Sequence, residues 1–459
     1  MRMNRIAARA AALLLLILAL AAGVVFFLGE YIAGAEDWVM FSGSPHVYSS
    51  GKLGTGVLTD REGILLTDLR DGRTYSNDET LRKAALHWTG DRQGNINAPF
   101  METYAAQLLG YDFVNGLYAY GDNCGTVKLT LSAEAQRVAL EAIGDRKGTV
   151  AVYNYQTGEI LCAVSTPTFD PENVPDIEND EEGLYTGVYV NRFLQSKYVP
   201  GSIFKIVTLA VALETVPGIE QQSFTCAGVY EIGGGDVTCE ERHGKQSLKD
   251  AFRNSCNCAF AQLVEQIGRG KLERYVKLMG ITDSLSFDGV TTAPGNFQVA
   301  DATPEQVAWS GIGQHKDQMN PCNFMTFVGA VAGNGIGAKP YIVAEVSNGS
   351  KTTYTVTPQM GDRVISSETA ATLREYMRNN VENRYGVENF PDVMVCAKTG
   401  TAEVGGGKKP NATFAGFVAD ERYPLAFVAM VEDAGYGREV CIPIVSAALE
   451  ACMEAMDPA

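Results

Sequence analysis

Three short groups of residues could together activate a hydroxyl and hold a carboxylate. The first is Ser202-Ile203-Phe204-Lys205. A serine hydroxyl is a weak nucleophile until a neighbouring group takes its proton. A lysine three residues on can take it only when its amine is neutral part of the time. Burial and nearby positive charge both push a lysine pKa in that direction. The second group is Ser255-Cys256-Asn257, beginning 53 residues after Ser202. Its serine suits a proton relay between Lys205 and a leaving group, and the Asn257 amide offers donors and an acceptor to a peptide bond. The third is Lys398-Thr399-Gly400-Thr401, beginning 143 residues after Ser255. The Lys398 cation and the Thr399 and Thr401 hydroxyls suit a carboxylate. Gly400 lets a ligand backbone come close, and the Lys398 charge would help to depress the pKa of Lys205.

Taken singly, each group has an ordinary reading: a helix-capping Ser or Asn, or a surface lysine beside a turn. The spacing of the first group recurs by chance at Ser49-Ser50-Gly51-Lys52, in a Gly-rich stretch without helical pattern. Setting separates the two matches. After Pro200 and Gly201, residues 206–213 are apolar nearly all round, the pattern of a buried helix. Ser202 falls at its first turn with Lys205 on the same face. The second group lies between helical patterns at 248–252 and 259–267. The third ends an apolar strand at 393–397.

Other elements frame these. Residues 126–131 read as a strand, and Ser132 caps a helix over 133–143. Residues 148–155 and 159–164 flank Gln156-Thr157-Gly158 as a hairpin, followed by an acidic loop at 170–182. Strands at 413–418 and 425–431 and a helix at 443–456 close the chain. Strands at both ends of this stretch, with helices between, predict an α+β fold: an antiparallel sheet flanked by helices, with an α-rich lobe inserted.

The length, 459 residues of which 46% are hydrophobic, suits two or three domains. A net charge of −17 argues against nucleic acid as a partner, and any anionic substrate would need a local cationic patch. Arg2, Arg5 and Arg9 precede an uncharged run at 10–28, 19 residues long. Such a helix spans roughly 28 Å, close to a bilayer core. It reads as a transmembrane anchor after a short cytoplasmic tail (1–9), with the rest of the chain outside. Small residues at Ala33 and Ala35 keep a cleaved signal peptide as the alternative. Residues 29–125 are polar, Gly-rich and weakly β-patterned, a small pedestal before a domain over 126–459. Ten cysteines are scattered along the chain: Cys124, Cys162, Cys226, Cys239, Cys256, Cys258, Cys322, Cys396, Cys441 and Cys452. Cys226 and Cys239 bracket a glycine turn at 233–235 and suit either a loop disulfide or buried thiols. The histidines (His46, His87, His243, His315) show no ligand spacing, so no metal and no cofactor are expected.

In conjunction, the three groups resemble the motif set of penicillin-binding transpeptidases and serine β-lactamases. The likeness extends to Gly148–Asn154 and Thr157-Gly158-Glu159-Ile160, to Phe169-Asp170-Pro171, to Asn191-Arg192 and Tyr198-Val199-Pro200-Gly201, and to Gly311-Ile312-Gly313-Gln314. Asp60-Arg61-Glu62-Gly63 resembles part of the class B pedestal. His315 stands where the family usually has glycine, and Met319-Asn320-Pro321 replaces the usual Val-Thr-Pro. No stretch remains for a glycosyltransferase domain. The resemblance implies a class B D,D-transpeptidase. Lys205 would deprotonate Ser202, which attacks a stem peptide ending in D-Ala-D-Ala. The Ser202 and Thr401 amides would form the oxyanion hole. Ser255 would pass a proton to the departing D-Ala, Asn257 would orient the donor, and Lys398, Thr399 and Thr401 would hold its carboxylate. β-Lactams would trap Ser202, and a membrane glycan polymerase would be a partner. A D,D-carboxypeptidase, a serine β-lactamase, or a non-catalytic scaffold or β-lactam receptor stay open as alternatives.

Overall fold

The computed structural model describes residues 2–39, 48–49, 52–53, 56–69, 73–109, 125–349 and 351–457. Cys124, and Ser50 and Gly51 of the chance match, lie outside these. The N-terminal run forms one helix, α1 (Arg2–Val39), longer than the apolar run because nothing in its flanks breaks it. Its segment Arg5–Ala35 is long and apolar enough to cross a membrane, and its leucines and phenylalanines from Leu13 to Leu28 are exposed.

Next come strands β1 (Val57–Thr59), β2 (Leu65–Asp68) and β3 (Thr74–Tyr75), then helix α2 (Glu79–Thr89), capped by the Asp78 carboxylate accepting from the Leu81 amide. The buried Asp60 carboxylate accepts from the Glu62 and Ile64 amides and from Ala133 N, so the turn of the Asp60–Gly63 segment is tied to the next domain. Strand β4 (Gly125–Leu129) leads to helix α3 (Ala133–Ile143), capped by Ser132 as its sequence requires. The hairpin follows as β5 (Gly148–Asn154) and β6 (Ile160–Thr166).

A helical lobe is then inserted. It opens with a 3₁₀ turn, Gly201–Phe204, running into α4 (Lys205–Thr215). Two small hairpin-like pairs interrupt it, built from β7 (Ser223–Cys226), β8 (Val229–Ile232), β9 (Gly235–Thr238) and β10 (Gly244–Ser247); β7 pairs with β10 and β8 with β9. Helices α5 (Leu248–Arg253), α6 (Asn257–Ile267), α7 (Pro304–Ile312) and α8 (Pro321–Ala332) follow. Asn320 caps α8 through its side chain and Pro321 takes the first helical position, so Met319-Asn320-Pro321 does the work of a Thr-Pro start. The chain ends through β11 (Val343–Asn348), β12 (Lys351–Thr355), α9 (Ser367–Asn380), β13 (Val395–Ala402), β14 (Asn411–Val418), β15 (Leu425–Val431) and α10 (Gly437–Glu454). The last helix begins six residues before its anticipated start and carries Pro443 inside it.

Five strands form the main sheet in the order β13-β14-β15-β5-β6, all antiparallel. On one face lie α3 and α10, with Ala139, Val445 and Leu449 packed on Val152, Val164, Phe414 and Phe427. The other face, with Tyr153, Ala415 and Val428, packs on α8 and the lobe, including Phe324 and Val328. Burial on both faces is why these strands read as continuous apolar runs rather than alternating ones. This is the α+β architecture anticipated. A second sheet, β12-β11-β4-β1-β2-β3, collects strands from both sides of residue 125, and its β1–β4 pair is parallel.

Candidate active site

The 3₁₀ turn that carries Ser202 brings positions three apart into register. Ser202 Oγ accepts from Lys205 Nζ at 2.9 Å. The turn is pinned from three sides. Gly201 N donates to Gly313 O at 2.8 Å, Thr208 Oγ1 to Gly311 O at 2.6 Å, and Thr413 Oγ1 to Pro200 O at 2.9 Å. The segment Gly311–Gln314 is therefore the back wall of the nucleophile turn. Gly201 has φ 59°, and a Cβ there would stand 2.6 Å from Thr401 O, so only glycine fits between the turn and β13.

Four oxygens lie within hydrogen-bonding distance of Lys205 Nζ, one more than its ammonium has protons: Ser202 Oγ, Ser255 O (2.8 Å), Ser255 Oγ (3.1 Å) and Asn257 Oδ1 (2.8 Å). It is fully buried over the Phe260 ring, 5.6 Å from the centroid. Burial lowers its pKa to about 8. Cys239, Cys256 and Glu240 oppose the fall, and the Arg384 guanidinium adds to it. Ser255 sits between α5 and α6 at φ 54°, a left-handed conformation uncommon for serine. Neither it nor Asn257 caps a helix. Cys256 does so, its Sγ accepting from Ala259 N, which frees both neighbours to face the lysine.

Lys398 is almost fully buried, its Nζ donating to Ser255 Oγ at 3.1 Å and to Thr399 O at 2.7 Å. Ser255 Oγ is thus shared by two lysines. Burial first, then the charges of Lys205 and Arg384, hold the Lys398 pKa well below its ordinary value. The two lysine charges thus oppose one another across the shared Ser255 hydroxyl. β13 is an edge strand of the main sheet, and Thr399, Gly400 and Thr401 line the cleft beside it. Lys398 lies behind this wall. A Cβ on Gly400 would meet Thr413 Oγ1 at 2.2 Å and the Ile203 and Ser202 amide nitrogens at 2.9 and 3.1 Å. What approaches Gly400 closely is the chain's own nucleophile turn.

The cleft is also lined by Glu240, Glu241, Glu305, Glu403 and Glu439, and by Arg384 and Arg438. Arg384 and Arg438, which no sequence motif marks, thus supply the cationic groups of a lining that also carries five glutamates. Tyr385 is likewise unmarked. It ends a single π turn, Val381–Tyr385, and its hydroxyl accepts from Thr399 N (3.0 Å) and Thr399 Oγ1 (3.2 Å). His315 lines the cleft at φ 66°, the conformation that explains why glycine is usual there. Cys226 and Cys239 are free thiols. The reading of the histidines as scattered needs correction at His243, which the fold brings together with Cys226, Cys239 and Cys256.

The family model for the penicillin binding protein transpeptidase domain matches residues 148–450. The chain belongs to that family. The transpeptidase-domain fold is shared with penicillin-binding protein A of Mycobacterium tuberculosis, solved as a ceftriaxone acyl-enzyme. That structure superposes with a TM-score of 0.74 at 25% identity, covering 87% of this chain and 98% of that one. In sequence, the peptidoglycan D,D-transpeptidase PbpA of M. tuberculosis is 28% identical over 427 residues, 83% of this chain and 84% of that protein. Stage V sporulation protein D of Bacillus subtilis is 31% identical over 342 residues, 70% of this chain and 52% of that protein.

Proposed function

We propose that this chain is a class B peptidoglycan D,D-transpeptidase acting through a Ser202 acyl-enzyme. The observation that carries the reading is the buried Lys205 amine hydrogen-bonded at once to Ser202, Ser255 and Asn257. In its neutral form this amine takes the Ser202 proton, and Oγ attacks the carbonyl of the penultimate D-Ala of a stem peptide. The amides of Ser202 and Thr401 receive the developing oxyanion. Ser255, within 3.1 Å of both lysines, passes the proton to the departing D-Ala nitrogen. Breaking that amide leaves an ester on Ser202, which an amine of a neighbouring stem attacks, restoring the free serine and forming the cross-link.

Thr399 and Thr401 hold the terminal carboxylate, with Lys398 charge behind them and Arg384 and Arg438 at the cleft wall. Asn257, whose Nδ2 donates to Thr238 O at 2.9 Å, orients the donor from the opposite wall. β-Lactams acylate the same serine. Helix α1 fits a single membrane pass; Arg2, Arg5 and Arg9 assign its start to the cytoplasm and the catalytic domain outside. That placement sets the domain beside a membrane glycan polymerase, the partner this function calls for. The proposed partition is a tail at 1–9, a span at 10–28, a pedestal at 29–125 and the transpeptidase domain at 126–459.

The test uses the purified full chain, a stem pentapeptide ending in D-Ala-D-Ala and an amine acceptor. Release of D-Ala with transfer of the peptide to the amine supports the proposal. Release to water alone would make the chain a carboxypeptidase.

A further inference from the structure

Four side chains between residues 226 and 256 converge beside the active site. Cys226 ends β7, Cys239 follows β9, His243 lies in the turn before β10, and Cys256 stands between Ser255 and Asn257. Their Sγ atoms and one imidazole nitrogen all lie within 4.8 Å of one another. Cys239 Sγ is 3.6 Å from His243 Nδ1 and 3.9 Å from Cys256 Sγ. Zinc bonds of ~2.3 Å to sulfur and ~2.0 Å to nitrogen, arranged tetrahedrally, place such ligand atoms about 3.5–3.8 Å apart. Three thiols and one imidazole make a complete zinc ligand set with no open position, the composition of a structural rather than a catalytic site. The spacing hides it: twelve residues separate Cys226 from Cys239 and His243 from Cys256, and three separate Cys239 from His243.

We propose that Cys226, Cys239, His243 and Cys256 bind one structural Zn2+ ion that clamps the 223–247 excursion to the Ser255–Asn257 loop. The strands of the excursion form two separate two-stranded sheets. Phe224, Ile232 and Val237 pack them into the lobe's core, and the metal adds a direct link from their Cys226 and Cys239 ends to the Ser255–Asn257 loop. Cys226 and Cys256 are buried, whereas Cys239 and His243 face the cleft. A disulfide would use two sulfurs and leave a third thiol and the imidazole converging on nothing. The Ala259 amide already donates to Cys256 Sγ at 3.4 Å, the outer contact that supports a bound thiolate. On binding, the thiols release their protons and the imidazole coordinates as the neutral base, so the metal replaces protons and no redox partner is needed.

The clamp reaches the chemistry through two bonds. Cys256 is flanked by the two residues that hold Lys205, and Asn257 Nδ2 donates to Thr238 O, next to Cys239. The metal thereby helps hold Ser255 in its left-handed conformation.

The full chain, purified in detergent without chelator and dialysed against zinc, should contain one zinc per molecule by plasma mass spectrometry. Co2+ added to the stripped protein should give thiolate-to-cobalt charge transfer and the visible bands of a tetrahedral site. Cys226→Ser and His243→Ala should weaken zinc binding on the order of tenfold or more. Cys258→Ser, two residues from Cys256 and beside Cys226 and Cys239 but outside the cluster of four, should retain the metal. Stripping should slow acylation by a fluorescent penicillin, and added Zn2+ should restore it. Wild-type protein that still binds penicillin but holds no zinc above background would overturn the site, as would loss of zinc in Cys258→Ser. An acylation rate indifferent to stripping would overturn the positioning role.

Discussion

At the scale of single residues, the proposed chemistry rests on removing a proton from a lysine that four oxygens surround. Burial lowers the Lys205 pKa from 10.5 to about 8. Its folded value lies below its ordinary one, so the free amine grows as pH rises through that value. The acylation rate by a penicillin should therefore climb with pH along a limb centred near pH 8, and a rate flat from about pH 6 to pH 10 would contradict Lys205 as base. Lys205→Arg keeps a cation but cannot lose its proton, and should cost on the order of 10²–10⁴ in acylation rate. The three motifs were legible at this scale because each pairs two reactive side chains within a few residues. Arg384 and Arg438, which line the cleft, and Tyr385, buried behind Thr399, were not, since they come from a π turn and a helix start that share no spacing with the motifs. His243 and its cysteines were missed for a similar reason, because convergence of separate strands leaves no short signature.

At the scale of elements, the site is the contact between a 3₁₀ turn and an edge strand, with glycines where they touch. Gly201 faces the Thr401 backbone and Gly400 the Ser202 and Ile203 amides, and a Cβ on Gly437 at the start of α10 would stand 2.4 Å from Gly400 O and Thr413 O. Gly400→Ala should therefore push the nucleophile turn off β13. Melting should show a loss of about 1–3 kcal/mol, and acylation should fall in the protein that remains folded. A variant with wild-type melting and labelling would show that the strand and turn have room to spare. The strands and most helices were readable from apolar runs and caps, such as Ser132 before α3. The early start of α10 was not, because Pro443 reads as a beginning when seen without the packing that carries the helix past it.

At the scale of the whole molecule, the segments before and after residue 125 are joined by ions and by shared strands. Arg82 on α2 grips Asp170 with two bonds, Nε to Oδ1 at 2.7 Å and Nη2 to Oδ2 at 2.8 Å, both side chains largely buried. The Arg82 hydrogen bond holds the Asp170 carboxyl below its ordinary value of 3.8. The pair thus stabilises the fold above that pH, and the contribution is lost as pH falls through the lower, folded value. Asp170→Ala leaves a partly buried guanidinium with Ser76 O as its remaining partner, and the melt should lose about 1–3 kcal/mol. The hydrogen bonds at Lys205 do not involve this pair, so acylation of the folded fraction should keep its rate. Loss of less than about 1 kcal/mol would mean that the joint is carried elsewhere. The second sheet was the least legible feature, since β4 pairs with β11, more than two hundred residues away, and alternation in short strands does not name a partner.

The most direct measurement is intact-protein and peptide mass spectrometry of the full chain after exposure to penicillin, beside Ser202→Ala. The account predicts one long-lived adduct carried on Ser202 and none in the variant. An adduct on another residue, labelling that persists in Ser202→Ala, or folded protein that takes no label, would contradict it.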